Sequence, residues 1–164
     1  MPERLWAPWR MRYVESANDQ PDGCIFDDLP AAGDDRENLI LHRGKAAFVL
    51  LNAFPYTSGH LMIAPYRHVA DPAELTDEEM LEIQRLIGSS VAWIRAAYKP
   101  DGFNIGANIG SAAGAGIPDH LHWHVVPRWK GDTNFLSTVG ETRVLPESLE
   151  ESYDRLRAVT GQNG

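Results

Sequence analysis

Apolar positions in this chain form short strand-like runs around one long helical pattern. Residues 39–41, 45–51 and 60–64 read as strands, the last closed by Pro65. Thr76 with Glu79 in the third position after it is a capping-box signal for a helix start. Leu75, Met80, Ile83, Leu86, Ile87, Val91, Ile94 and Ala97 then keep helical spacing, predicting one amphipathic helix that runs to Tyr98 and ends at Lys99-Pro100-Asp101-Gly102. Residues 103–109 resume a strand, 110–116 make a small-residue loop, and 120–126 read as the last strand. Leu149, Tyr153 and Leu156 predict a shorter helix over residues 146–158. Residues 30–37 read as loop. Residues 1–20 read as an arm in which Pro2 and Pro8 disfavour regular helix and Trp6, Trp9 and Tyr13 dock on the body. Strands, a long helix and further strands suit an antiparallel α+β domain with a sheet of about five strands, one long helix and one shorter one, better than βαβ repeats.

At 164 residues one domain suffices: the arm, a body over 21–140, and a helical extension of the same domain over 141–164. Hydrophobic residues at 43% and charged ones at 23% are an ordinary globular balance, and no apolar run approaches the ~20 residues that a membrane span requires. The arginine- and tryptophan-bearing N-terminus has no continuous apolar stretch, so a secretory signal is not expected. Cys24 is the only cysteine, which excludes an intrachain disulfide and makes a reducing, cytoplasmic setting the default. A net charge of −8 argues against a general nucleic-acid binder, because neutralising phosphates takes a basic surface. Arg67, Arg128 and Lys130 still leave room for local recognition of a small anion.

His120, His122 and His124 alternate along the last predicted strand, so all three face one way. Strand geometry spaces neighbours roughly 7 Å apart and the outer pair roughly 13 Å apart, a row that a single metal ion cannot gather from a straight strand. Neither a core strand nor a solvated one has reason to repeat a titratable ring three times, whereas a neutral imidazole with one nitrogen held protonated is a competent nucleophile toward phosphorus. Just upstream, residues 106–116 carry almost no side-chain bulk, and amides there can approach an anion closely. Asn108 and Ser111 are the polar donors in that stretch, with Gly114 and Gly116 allowing close approach, and no Lys follows to make it a P-loop.

His-x-His-x-His followed by two apolar residues resembles the signature of the histidine-triad superfamily of nucleotide hydrolases and transferases. The likeness extends upstream to residues 48–65, with Asn52, a Pro-containing loop and Gly59-His60, and to Pro65-Tyr66-Arg67-His68. Pro127-Arg128-Trp129, Gly131-Asp132-Thr133-Asn134-Phe135 and the arm's Arg4-Leu5-Trp6-Ala7-Pro8-Trp9-Arg10-Met11 resemble the branch containing bacterial diadenosine-tetraphosphate phosphorylases. The resemblance implies a single histidine-triad-like domain and cleavage of dinucleoside polyphosphates through a covalent nucleotidyl-histidine. His122 is then the nucleophile and His120 and His124 flank the phosphate. It further implies that Asn52 contacts the ribose, that His60 supports the triad beside the nucleotide, and that the molecule is a homodimer. Ile25, Phe26 and Leu41 are candidate walls for an adenine base. Gly116 and Ile117 depart from the superfamily, which carries Gln and then Ser or Thr there, leaving acceptor and leaving-group preference open.

No cofactor is implied for the chemistry. Many bacterial relatives hold a structural zinc with Cys-x-x-Cys, a later His and the first triad His. Here the stretch is Cys24-Ile25-Phe26-Asp27, making Cys24, Asp27, His68 and His120 the candidate ligands. Alternatives are an adenosine phosphoramidate hydrolase of the same superfamily, a metal-dependent enzyme using the row, and a nucleotide-binding sensor. Neither a nucleic acid nor a membrane is an expected partner.

Overall fold

Alternation along the strands sorts side chains onto two faces. Ala47, Val49, Leu51, Leu61 and Ile63 join one buried cluster, whereas Phe48, Leu50, Met62 and Ala64 join another. In the computed structural model, which describes residues 23–132 and 145–161, the strands are β1 (Ile40–Arg43), β2 (Ala47–Leu51), β3 (Leu61–Pro65), β4 (Gly102–Ala107) and β5 (Trp123–Arg128). The helices are α1 (Ile25–Ala31), α2 (Asp77–Tyr98) and α3 (Leu149–Arg157). The expected arm over 1–20 and the likeness at 133–135 lie outside the described residues. The sheet is antiparallel throughout, in the order β1-β2-β3-β5-β4.

One face packs on α2 and α3 through Ile83, Leu86, Ile87, Ile94, Tyr153 and Leu156. The other is closed by α1, whose Phe26 is fully buried with Ile40, Phe48 and Met62. The long helix starts as its sequence demands: the Thr76 hydroxyl accepts from Glu79 N, and the Glu79 carboxylate accepts from Thr76 N. Arg67 grips the same carboxylate at 2.7 and 3.0 Å, and that pairing holds Glu79 down at about 2. Lys99, in the left-handed conformation, ends the helix before Pro100.

Helix α3 repeats the capping box with Ser148 and Glu151. It is tied to the edge strand by the Tyr153 hydroxyl, which donates to Ile40 O, and by Arg157, which donates to Leu41 O. The register of β1 against β2 slips between Ile40 and His42, a bulge that turns Leu41 toward the α2 face. Leu41 therefore cannot wall a base beside the histidines, and Ile25 stands exposed.

Candidate active site

Met62 and Gly106 lie directly opposite His124, which puts that imidazole on the sheet face that carries α1. The absence of a Gly106 side chain leaves open space beside the ring. The regular strand starts only at Trp123. This corrects the expectation of one extended strand carrying all three rings: residues 120–122 precede the ladder, and Leu121 N donates to Val69 O at 2.6 Å. The even ~7 Å row is replaced by close ring contacts. His122 and His124 meet edge to face with centroids 5.0 Å apart.

The proton positions follow from partners that can play only one role. Nδ1 of His122 lies 2.9 Å from His120 O; a carbonyl only accepts, so Nδ1 carries the hydrogen and Nε2 keeps its lone pair. Nδ1 of His60 accepts the Tyr56 amide at 3.1 Å, with the Asn52 side-chain amide at 3.3 Å. His60 therefore carries its proton on Nε2 and donates it to His124 Nδ1 at 2.9 Å, which leaves the His124 proton on Nε2. Neighbouring rings thus have opposite tautomers, His122 with a free Nε2 lone pair and His124 with an Nε2–H. Burial keeps the set neutral. It takes His60 down to about 3, with repulsion from His124 and His122 adding, and His124 to about 4, with repulsion from His122 adding. Burial also lowers His122, against the pull of the His120 carbonyl.

His60 is completely buried behind His124, so it reaches a ligand only through that ring. Asn52, the residue expected on a ribose, is nearly as buried: its carbonyl oxygen accepts from Phe54 N and its amide faces His60, contacts that brace the β2–β3 loop. Two aromatics stand against these rings: Phe26, expected as a wall for the base, and Tyr56, which the sequence did not single out. Phe26 lies against both His120 and His122, at 5.3 and 4.8 Å. Tyr56, exposed on the loop, stacks near His124 at 5.9 Å and packs on His60 at 4.5 Å. An aromatic in a loop carries no periodic signal that would have marked it in the sequence.

The small-residue stretch leaves β4 at Ala107, opposite Trp123, so it departs at the His122 end of β5. Asn108 is half-buried there, and Ser111, Gly114 and Gly116 are exposed. Ser111–Ala113 winds into a single 3-10 turn with Gly110 and Gly114 at positive φ. The amides of Ala113, Gly114 and Ala115 close back onto Gly110 O and Ser111 O, so these three are committed within the loop.

His120 turns into a separate cluster. Its Nε2–H donates to Pro65 O at 2.9 Å, leaving Nδ1 as the acceptor, 3.3 Å from Cys24 Sγ and 3.4 Å from Asp27 Oδ1. His68 Nδ1 stands 2.8 Å from Asp27 Oδ2. The donor atoms of Cys24, Asp27, His68 and His120 all lie within 4.8 Å of one another. Zinc–ligand bonds of roughly 2.0–2.3 Å put tetrahedral donors some 3.3–3.8 Å apart, so the set fits a metal once its widest separations close by about 1–1.5 Å. A ring nitrogen free toward the cluster while its partner nitrogen donates to a backbone carbonyl is the arrangement metal-bound histidines use. The cluster takes in His120 but neither His122 nor His124.

A five-stranded antiparallel sheet with alternating histidines entering β5 defines a histidine-triad protein, and the chain belongs to that family: the HIT domain matches residues 34–131. An AP-4-A phosphorylase of Mycobacterium tuberculosis (strain ATCC 25618 / H37Rv) is 39% identical over 157 residues, 92% of this chain and 80% of that protein. A bis(5'-adenosyl)-triphosphatase of Saccharomyces cerevisiae (strain YJM789) is 32% identical over 92 residues, 56% of this chain and 44% of that protein. Among solved structures, a zinc-bound histidine triad family protein from Mycobacterium smegmatis superposes with a TM-score of 0.69 at 27% identity, covering 85% of this chain and 94% of that one.

Proposed function

We propose that the protein cleaves dinucleoside polyphosphates, with an adenine nucleotide as substrate, through a covalent nucleotidyl-His122. One observation carries the reading: the His120 carbonyl fixes the proton of His122 on Nδ1 and leaves Nε2 free to attack. Nε2 forms a bond to the α-phosphorus as the bond to the bridging oxygen breaks, and the departing nucleotide keeps that oxygen and its electron pair. His124 donates from Nε2 to a phosphoryl or leaving oxygen as charge builds, held in that tautomer by His60. An acceptor oxygen then attacks the same phosphorus and His122 leaves. Inorganic phosphate as acceptor is supported by the 39% identity to an AP-4-A phosphorylase. The tightness of the His120 contacts to Cys24, Asp27 and Pro65 supports a bracing role for that ring rather than a direct hold on phosphate.

The same four-residue cluster supports a bound zinc, whose contribution would be to fix the His120 ring. The outer edge of β4 supports a homodimer: it ends the sheet, with Asn104, Ile105 and Gly106 exposed. Among the described residues no helix is long and apolar enough to cross a membrane. The free thiol of Cys24 supports a reducing, cytoplasmic setting.

With diadenosine tetraphosphate as substrate, His122→Ala should abolish turnover, and the wild-type rate should rise with added phosphate as ADP and ATP appear in equal amounts. Unchanged turnover in the variant would rule out the nucleophile, and a phosphate-independent rate giving AMP would make water the acceptor.

A further inference from the structure

Residues 120–122 stand ahead of the ladder that begins at Trp123, so the nucleophile's place depends on what else holds this segment. Leu121 N is bonded to Val69 O, and Val69 directly follows His68 of the cluster. The His120 ring is bonded to Pro65 O and to Cys24, with Asp27 Oδ1 at 3.4 Å. Phe26 of α1, between the cluster members Cys24 at the helix N-cap and Asp27 in its first turn, packs on His120 and His122 together. His120 therefore works in two places at once. Its ring is a donor in the cluster, and its carbonyl accepts the Nδ1–H that keeps His122 nucleophilic.

We propose that cation binding at Cys24, Asp27, His68 and His120 positions the His122 nucleophile, making nucleotidyl transfer responsive to whether the cation is bound. The proposal rests on the role given to His122 above. The donor set points to exchange rather than permanent burial: it offers one thiolate and one carboxylate, and the Asp27 and His68 side chains are 40% and 47% exposed. A cation can reach them from solvent, and losing it removes the centre that ties α1, the His68 segment and His120 together. Cys24, Asp27 and His68 are positioning residues, since the hydrogen bond and ring contacts of His122 are to His120, Phe26 and His124.

The test strips the full chain with a chelator and titrates it with Zn2+, following the His122 tautomer by long-range proton–nitrogen NMR and the single-turnover rate of nucleotidyl transfer. One equivalent of Zn2+ should raise the Nδ1–H population of His122 and speed the transfer about tenfold or more. His68→Ala and Asp27→Asn, made separately so that one misfolded variant does not decide the matter, should each raise the half-saturating Zn2+ concentration by at least about tenfold. An absence of Zn2+ binding, a His122 signal identical in stripped and loaded protein, or unaltered affinity in both variants would overturn the proposal. A His122 ring that responds to Zn2+ in a wild-type protein with no dinucleotide turnover would contradict the substrate reading and leave this coupling standing.

Discussion

Two imidazoles that touch, His122 and His124, are set to opposite tasks by neighbours that can only accept or only donate. The His120 carbonyl gives His122 a free lone pair, while the Tyr56 amide, acting through His60, gives His124 an outward proton. His60→Ala removes the donor that fixes His124. It should lower kcat by about 10- to 100-fold while KM stays near the wild-type value, because the loss falls on charge that develops in the transition state. Steady-state kinetics on a dinucleoside polyphosphate checks this. The same burial makes stability depend on pH. His60 and His124 sit below their ordinary 6.5, at about 3 and about 4, so under acid the unfolded chain takes up protons that the folded chain refuses. Their cost is absent above pH 6.5 and grows as pH falls from 6.5 toward 4 and then 3. Glu79 acts in a lower window: its folded value of about 2 against 4.5 gives stability that is present above pH 4.5 and is lost as pH falls toward 2. Urea unfolding at pH 7, 5.5 and 4.5 should therefore show falling stability before most of the Glu79 contribution is lost, and His60→Phe should flatten that fall.

At the level of elements, the long helix was legible because Thr76 and Glu79 announce its start and eight apolar residues keep its period. The strands were legible in number and order along the chain, with ends displaced by a few residues. The largest displacement falls on the triad. Alternation of His120, His122 and His124 reads as extended chain whether or not ladder bonds form, and β3 pairs with β5 only from Trp123 to Val125. Helix α1 was missed because it has only 7 residues, carries Pro30 and lacks a side-chain cap. The four cluster residues could be named from family likeness, but their meeting depends on α1 folding over the sheet. The tautomer of His124 was not legible, since the partners that set it, His60 and the Tyr56 amide, belong to the β2–β3 loop. Gly59 shows how closely that loop is fitted. It lies at φ +80°, and a Cβ there would stand 2.8 Å from the Tyr98 ring. Gly59→Ala should cost about 1–2 kcal/mol of stability from the left-handed backbone alone. It should also disturb the adjacent His60, readable as a parallel loss in melting temperature and kcat.

Across the described residues, the sheet separates the face packed by α2 and α3 from the face of the candidate active site. Helices α2 and α3 build the larger core on one side, while α1, the cluster and the histidines occupy the other. Helix α3 lies beyond the matched family segment of residues 34–131, yet Tyr153 and Leu156 are core residues and Arg157 anchors β1. A homodimer through β4 predicts that Ile105→Lys, at a position 47% exposed, yields a folded monomer by sedimentation equilibrium. A wild-type protein already monomeric at tens of micromolar would remove that assembly. Bond formation at Nε2 of His122 is the central step, and intact-protein and peptide mass spectrometry after rapid quench of a diadenosine tetraphosphate reaction tests it most directly. An adenylyl group on His122, absent from His122→Ala, is the predicted result. An adduct on another residue, or turnover with no adduct at any time, would contradict it.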